Sequence, residues 1–119
     1  MPWYGTNDAF LRETRQKLKA LKAELIKIEA ATKTLVRNSW FDLDRAKREE
    51  ALYRQTVVKL SQAALEVSTR GYETGKVTFA DVIASYNTWL RANLTLARKK
   101  SDLGIARAEL ERVVGTSLR

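Results

Sequence analysis

The side chains that most often carry chemistry are missing here: the 119 residues contain neither histidine nor cysteine. Disulfides, Cys/His zinc sites, cysteine nucleophiles and every His-based triad are excluded together. Fourteen carboxylates remain, but none sits in a readable catalytic motif, and no Gly-rich phosphate loop is present. No catalytic residue, metal or cofactor is expected, and nothing suggests an enzyme. What the residue types do offer is a turn. Arg70-Gly71-Tyr72-Glu73-Thr74-Gly75-Lys76-Val77-Thr78 holds the only glycines between Gly5 and Gly104. Gly75 suits a left-handed helix cap. Thr78 suits an N-cap, with Asp81 three residues on as a variant capping box whose charge also favours the helix start.

The elements that must position this turn are helices. Ala, Leu, Lys, Arg and Glu, all strong helix formers, dominate the composition. Leu11, Leu18, Leu21, Leu25, Ile28, Thr32 and Leu35 form a heptad seam with Thr32 its one polar member. The seam continues less cleanly through Ser39, Asp42, Ala46 and Tyr53 to Leu60 and Val67. A second line, Leu43, Val57 and Ala64, lies one residue further on, the drift expected when a helix of 3.6 residues per turn runs for many heptads. The pattern predicts one helix over about 7–70, a tip turn over about 71–77 and a second helix over about 78–114. The second seam is Phe79, Val82, Tyr86, Trp89, Asn93, Leu96, Leu103, Leu110 and Val114, flanked by Ile83, Leu90 and Ala97, and Gly115 stops the helix.

The fold class expected is all-α: an antiparallel hairpin of two long, unequal helices with coiled-coil-like seams. At 1.5 Å per residue the helices would be roughly 95 Å and roughly 55 Å long. Pairing back from the turn sets Val114 near Leu35, so residues 7–34 lack a partner within the chain. That stretch carries the most regular seam. Leaving its Leu and Ile side chains in water costs roughly 1.5–3 kcal/mol each, so the stretch is expected to pack against other helices, its own copies or missing parts of a longer protein, and the isolated chain to self-associate through Leu18, Leu21, Leu25, Ile28 and Leu35. The aromatic residues Trp40, Phe41, Tyr53, Tyr86 and Trp89 recur at helical spacing and read as packing between helices. Thr32, Ser39 and Asn93 read as tolerated polar positions or register devices.

The segment Tyr72 to Ile83 resembles the Tyr-x-x-Gly-x-x-(small)-x-x-Asp-Val-Leu signature of TolC-like outer membrane efflux proteins. Its flanks agree: an Ala-rich helix through Leu60–Arg70 upstream, then Asn87-Thr88-Trp89-Leu90-Arg91-Ala92, then Ala106 to Gly115, similar to the family's closing Ala-x-x-x-Leu-x-x-x-x-Gly pattern. Pro2-Trp3-Tyr4-Gly5 looks like the end of a β-barrel strand. The resemblance covers nearly the whole chain. It implies a trimeric parent whose protomers carry two repeats, each of two barrel strands and a helical hairpin. The chain looks like the hairpin of the second repeat, one fragment of a periplasmic α-helical tunnel. The parent would be a passive export conduit in a tripartite pump, meeting a periplasmic adaptor (membrane fusion) protein and, through it, an inner-membrane pump.

On that resemblance Tyr72, Thr74, Gly75, Lys76 and Val77 are the adaptor-docking tip, beside their plainer role as a helix cap and turn. Asp81 is read two ways: with Thr78 as a helix cap, or as part of a carboxylate ring at a periplasmic gate. Some members carry a second Asp one turn later; here that place holds Ala84. The location implied is the periplasm, as part of an outer membrane protein. No apolar run approaches the ~20 residues of a membrane-spanning helix. MPWYGTND has neither the basic start nor the apolar stretch of a signal peptide, so an exported parent would not be complete in this chain.

The net charge of +8, from 22 basic and 14 acidic residues, raises the rival reading of a basic helical-bundle module that binds nucleic acid or another protein. Arg45, Lys47, Arg48, Lys99 and Lys100 would be its footprint. The basic residues are scattered along both helices and mixed with Glu24, Glu29, Glu49, Glu50, Glu66 and Glu109, which is the pattern of a solvated helix face. No nucleic-acid partner is expected. An adaptor-type hairpin from the other side of the pump junction would need flanking lipoyl-like β segments, and none is present.

Overall fold

The computed structural model describes the backbone of residues 2–115 and the side chains of residues 5–115. The order is α1 (Pro2–Leu52), a π-helical turn (Tyr53–Val57), α2 (Val58–Glu73) and α3 (Phe79–Val114). No strand occurs among the described residues. Two long helical arms join in a hairpin, and the all-α fold class expected from the heptads holds. Pro2–Gly5 begins α1 instead of ending a strand. A lone strand leaves its N–H and C=O groups unpaired, whereas a helix satisfies most of them internally, and proline is tolerated in the first turn.

The chain divides into two units, Met1–Arg37 and Asn38–Arg119. In the first unit the seam residues Leu18, Leu21, Leu25, Ile28 and Leu35 are all more than half exposed. Thr14 and Thr34 turn their hydroxyls back onto the carbonyls of Phe10 and Ala30, one turn earlier. The second unit contains the helix-on-helix contact. Its buried core is thin: Leu43, Ala92, Leu110 and the polar Ser39. Two helices can bury only the stripes that face each other, so most large apolar side chains stay at the surface.

The facing stripe is regular on α3, running through Val82, Ser85, Trp89, Ala92, Leu96, Lys99, Leu103, Ala106, Leu110 and Val113 in steps of three and four. Ser85 takes the place expected of Tyr86, which is 45% exposed, and Phe79 and Val114 also lie outside. The reason is close approach. Ser85 and Ser68 of α2 share a 2.8 Å hydrogen bond between their hydroxyls, a spacing that leaves no room for a ring. Asn93 donates from its amide to the Trp89 carbonyl at 2.9 Å and so spends its polarity within its own helix.

On the first arm the stripe changes phase. Up to the π-turn it runs Ser39, Leu43, Ala46, Glu50, Tyr53; after it, Val57, Ser61, Leu65, Ser68, Gly71. Asp42 is exposed where the seam was expected, because Leu43 takes the buried place. Leu60 and Val67, also expected inside, are about two-thirds exposed. The π-turn is the cause. Val58 donates its N–H to the Tyr53 carbonyl, five residues back, which inserts one residue into the helix. Every inward position beyond it therefore moves one place along the sequence: 60 to 61, 64 to 65, 67 to 68.

Candidate docking tip

The tip is built from backbone requirements upward. α2 ends at Glu73, and Gly75 follows with φ of 77°, the left-handed conformation that glycine adopts without penalty. The chain then folds back on its last turn. Lys76 donates to the Gly71 carbonyl at 2.8 Å and Gly75 to the Tyr72 carbonyl at 3.0 Å. These are the paired bonds of a Schellman motif, and they satisfy carbonyls that the helix end would otherwise leave open. Thr74 adds a hydroxyl bond to the Gly71 carbonyl at 3.1 Å. Val77 packs so tightly over Gly71 that a Cβ there would stand 2.5 Å from its Cγ2. Glycine at 71 is thus a demand of close packing, while glycine at 75 is a demand of dihedral angle.

Thr78 starts α3. Its backbone is extended, with φ −77° and ψ 157°, and its hydroxyl accepts the Asp81 N–H at 3.3 Å. This is the N-cap bond. Asp81 contributes the N–H, and its carboxylate stands exposed in the first turn of α3, where a negative charge meets the positive end of the helix. Across the turn, the rings of Tyr72 and Phe79 lie 5.6 Å apart at 56°. Both are about half exposed, and Thr74, Gly75 and Lys76 are exposed beside them. The end of the hairpin is therefore a rigid knob of backbone hydrogen bonds with two aromatic faces, hydroxyls and one ammonium turned outward.

A family model described as outer membrane efflux protein matches residues 2–116. That is nearly the entire chain. The chain belongs to the outer membrane efflux protein family. Among curated proteins and among solved structures nothing matches. The family is one of transport channels of the outer membrane, and membership makes this efflux protein chain a channel component. No helix among the described residues is long and apolar enough to cross a membrane.

The other residues singled out in this efflux protein sequence fall in two places. The seam residues from Leu18 to Leu35 belong to the first unit, away from the tip in sequence. The basic residues of the supposed nucleic-acid footprint lie in the second unit, and three of the five, Arg45, Arg48 and Lys99, meet carboxylates. Arg45 pairs with Asp42 at 3.3 Å, Arg48 pairs with Asp44, and Lys99 reaches Glu49 across the hairpin at 3.0 Å. Lys99 also stands 5.9 Å over the Tyr53 ring. The hydrogen bond to Glu49 raises the Lys99 ammonium above its ordinary value of 10.5, against a smaller desolvation effect.

An open, shallow groove lies between the arms near this pair, with Asp42, Glu49, Asp102 and Glu109 along it. Arg45, Lys99 and Arg112 neutralise three of the four, Arg112 through a 2.5 Å bond that holds the Glu109 carboxyl below its usual 4.5. No group of carboxylates among the described residues is arranged to hold a metal ion. Sequence reasoning missed the π-turn, the Ser68–Ser85 bond and the Lys99–Glu49 bridge.

Proposed function

We propose that this chain forms part of the wall of the periplasmic α-helical tunnel of an outer membrane efflux channel, and that its turn is the surface on which a periplasmic adaptor docks. The observation that carries the reading is the family match over residues 2–116. The geometry supports it in two ways. The helical arms carry exposed apolar side chains along much of their length, as wall elements flanked by further helices require. The tip presents Tyr72, Thr74, Gly75, Lys76 and Val77 on a backbone fixed by its own hydrogen bonds, so docking would cost little ordering entropy. The role in the parent assembly is passive: the helices wall a conduit, and an adaptor, linked to an inner-membrane pump, engages the tip. Thr78 supplies the cap, which leaves the exposed Asp81 carboxylate available to a carboxylate ring in a trimeric parent.

The test is site-directed photocrosslinking. The chain has no cysteine, so Lys76→Cys and Lys100→Cys each accept one benzophenone-maleimide label. Each labelled chain is irradiated with purified periplasmic adaptor proteins of tripartite pumps. Crosslinking at position 76 and its absence at 100 is the expected result. Equal labelling at both positions, or none at 76, would remove the docking role.

A further inference from the structure

Between the π-turn and the tip, the first arm carries two stripes suited to face α3, one place apart in the sequence. The stripe in use is Ser61, Leu65 and Ser68, all half-buried. The other is Leu60, Ala64 and Val67, the positions that a continuous α-helix from Tyr53 would turn inward. Here Leu60 and Val67 stand about two-thirds exposed. The two stripes are closely matched: each has one leucine, and Ala64 and Val67 of one stand against two serines of the other. The stripe in use carries three penalties. It needs a π-turn, a rare bonding pattern. It keeps two large apolar side chains in water. And Trp89, one turn beyond Ser85 on the facing stripe of α3, has a buried indole N–H with no acceptor. What favours this stripe is the burial of Leu65 and the 2.8 Å bond between Ser68 and Ser85.

We infer that the π-turn is a movable element: its extra residue passes from Tyr53–Val57 toward the tip, and the residues it passes rotate by about 100°, exchanging the two stripes. Little opposes the passage. Each step trades a five-residue backbone bond, such as Val58 to Tyr53, for a four-residue one on one side of the turn, and makes the reverse trade on the other. No proline or glycine interrupts residues 54–70. The Ser61 and Thr69 hydroxyls donate to carbonyls of their own helix, Val57 and Leu65, both at 2.8 Å, and keep those bonds in either orientation. The bonds that close α2 at the tip join residues 70–77, so the knob survives. The two states show different outer faces: Leu60 and Val67 in one, Ser61 and Ser68 in the other. Whatever buries Leu60 and Val67 selects the state described above.

The chain has no cysteine, so cysteine pairs read the two states in the full chain. Ser68→Cys with Ser85→Cys reports the stripe in use, Val67→Cys with Ser85→Cys the exchanged one, and Glu66→Cys with Ser85→Cys neither. Each variant is equilibrated in a glutathione redox buffer at low protein concentration. Mass spectrometry measures the intramolecular disulfide, and circular dichroism of the reduced chain checks folding. A side chain turned away from its partner does not bridge, because the two Cβ atoms must point at each other. The 67–85 bond should form within about a thousandfold of the 68–85 bond, as for a minor state populated at about 0.1–10%, and well above 66–85. A 67–85 yield no higher than 66–85 would overturn the inference. Deleting Arg54 removes the extra residue. It should keep the 68–85 bond and lower 67–85 to the level of 66–85. A 67–85 bond unchanged by the deletion would assign it to fraying of the helix, which also overturns the inference.

Discussion

Val77 fills the space in front of Gly71: a Cβ at position 71 would stand 2.5 Å from its Cγ2 and 3.2 Å from its Cβ. The return strand of the turn is thus pressed onto the last turn of α2, and the tip keeps its shape because nothing projects from position 71. Gly71→Ala gains helix propensity but forces Val77 outward. The expected net loss is about 1–2 kcal/mol, since overpacking costs typically 1–3 kcal/mol and the propensity gain offsets part of it. The double variant Gly71→Ala with Val77→Ala should recover most of the loss, because the nearest atom is gone. Urea denaturation of both measures this; a double variant no better than the single would show that the contact is not the cause.

The π-turn predicts an asymmetry between deletions. Tyr53–Val57 holds one residue more than an α-helix needs to carry the stripe from Tyr53 to Ser68. Removing the exposed Arg54 lets the segment become α-helical while everything beyond keeps its facing side. Stability should stay within about 1 kcal/mol of the parent or rise, since π-helical bonding is the rarer and less favourable pattern. Removing Arg98 from α3 meets no such slack. Beyond it the stripe turns by about 100°, and each Leu carried out of contact costs roughly 1.5–3 kcal/mol. Thermal melts of the two deletions should therefore differ widely, and equal losses would contradict this role for the π-turn.

The hairpin was legible because two independent signals agree: heptads on both sides of one glycine-bearing turn. Backbone demands at the tip were also legible, since a left-handed residue calls for glycine and stands at Gly75, and an extended cap position favours threonine and stands at Thr78. The π-turn was not. The inward positions beyond it, Ser61, Leu65 and Ser68, include two serines, so hydropathy gives no line to follow, and the mismatch between 3.6 and 3.5 residues per turn already accounts for a one-place drift. Ser85 lost to Tyr86 in the reading for a related reason: hydropathy ranks the ring higher, while close helix approach selects the hydroxyl that can meet Ser68. Lys99 was hidden by its charge, which reads as solvent-facing until Glu49 and Tyr53 appear beside it.

That bridge gives a pH dependence with a defined sign. The Lys99 ammonium is raised above 10.5 in the folded chain by its hydrogen bond to Glu49. A group raised on folding stabilises fully below its unfolded value and loses that contribution as pH climbs through the folded one. The difference in melting temperature between the parent and Lys99→Gln should therefore be constant from neutral pH to about pH 10 and shrink above it. Glu109 runs the other way. Its carboxyl is lowered below 4.5 by Arg112, so its contribution is present above that value and fades as pH falls further. A Lys99→Gln difference that narrows near pH 5 instead would assign the effect to carboxylates alone.

Gly104 supplies the opposite case to Gly71. It lies in the middle of α3 with nothing within 4 Å of the place a Cβ would occupy. No positive φ requires glycine there, since the left-handed residues among those described are Gly75 and Gly115. Glycine inside a helix costs roughly 0.5–1 kcal/mol relative to alanine, chiefly through the freedom the unfolded chain loses. Gly104→Ala should stabilise by about that amount, while Gly75→Ala, forced into a left-handed conformation, should destabilise by roughly 1–2 kcal/mol. Three alanines at three glycines of one hairpin thus carry different signs for different reasons: a gain where space and dihedral both allow it, a loss by contact at 71, and a loss by backbone angle at 75. Chemical denaturation of the three variants separates them, and a loss at 104 would mean that glycine serves this helix through something other than its own backbone.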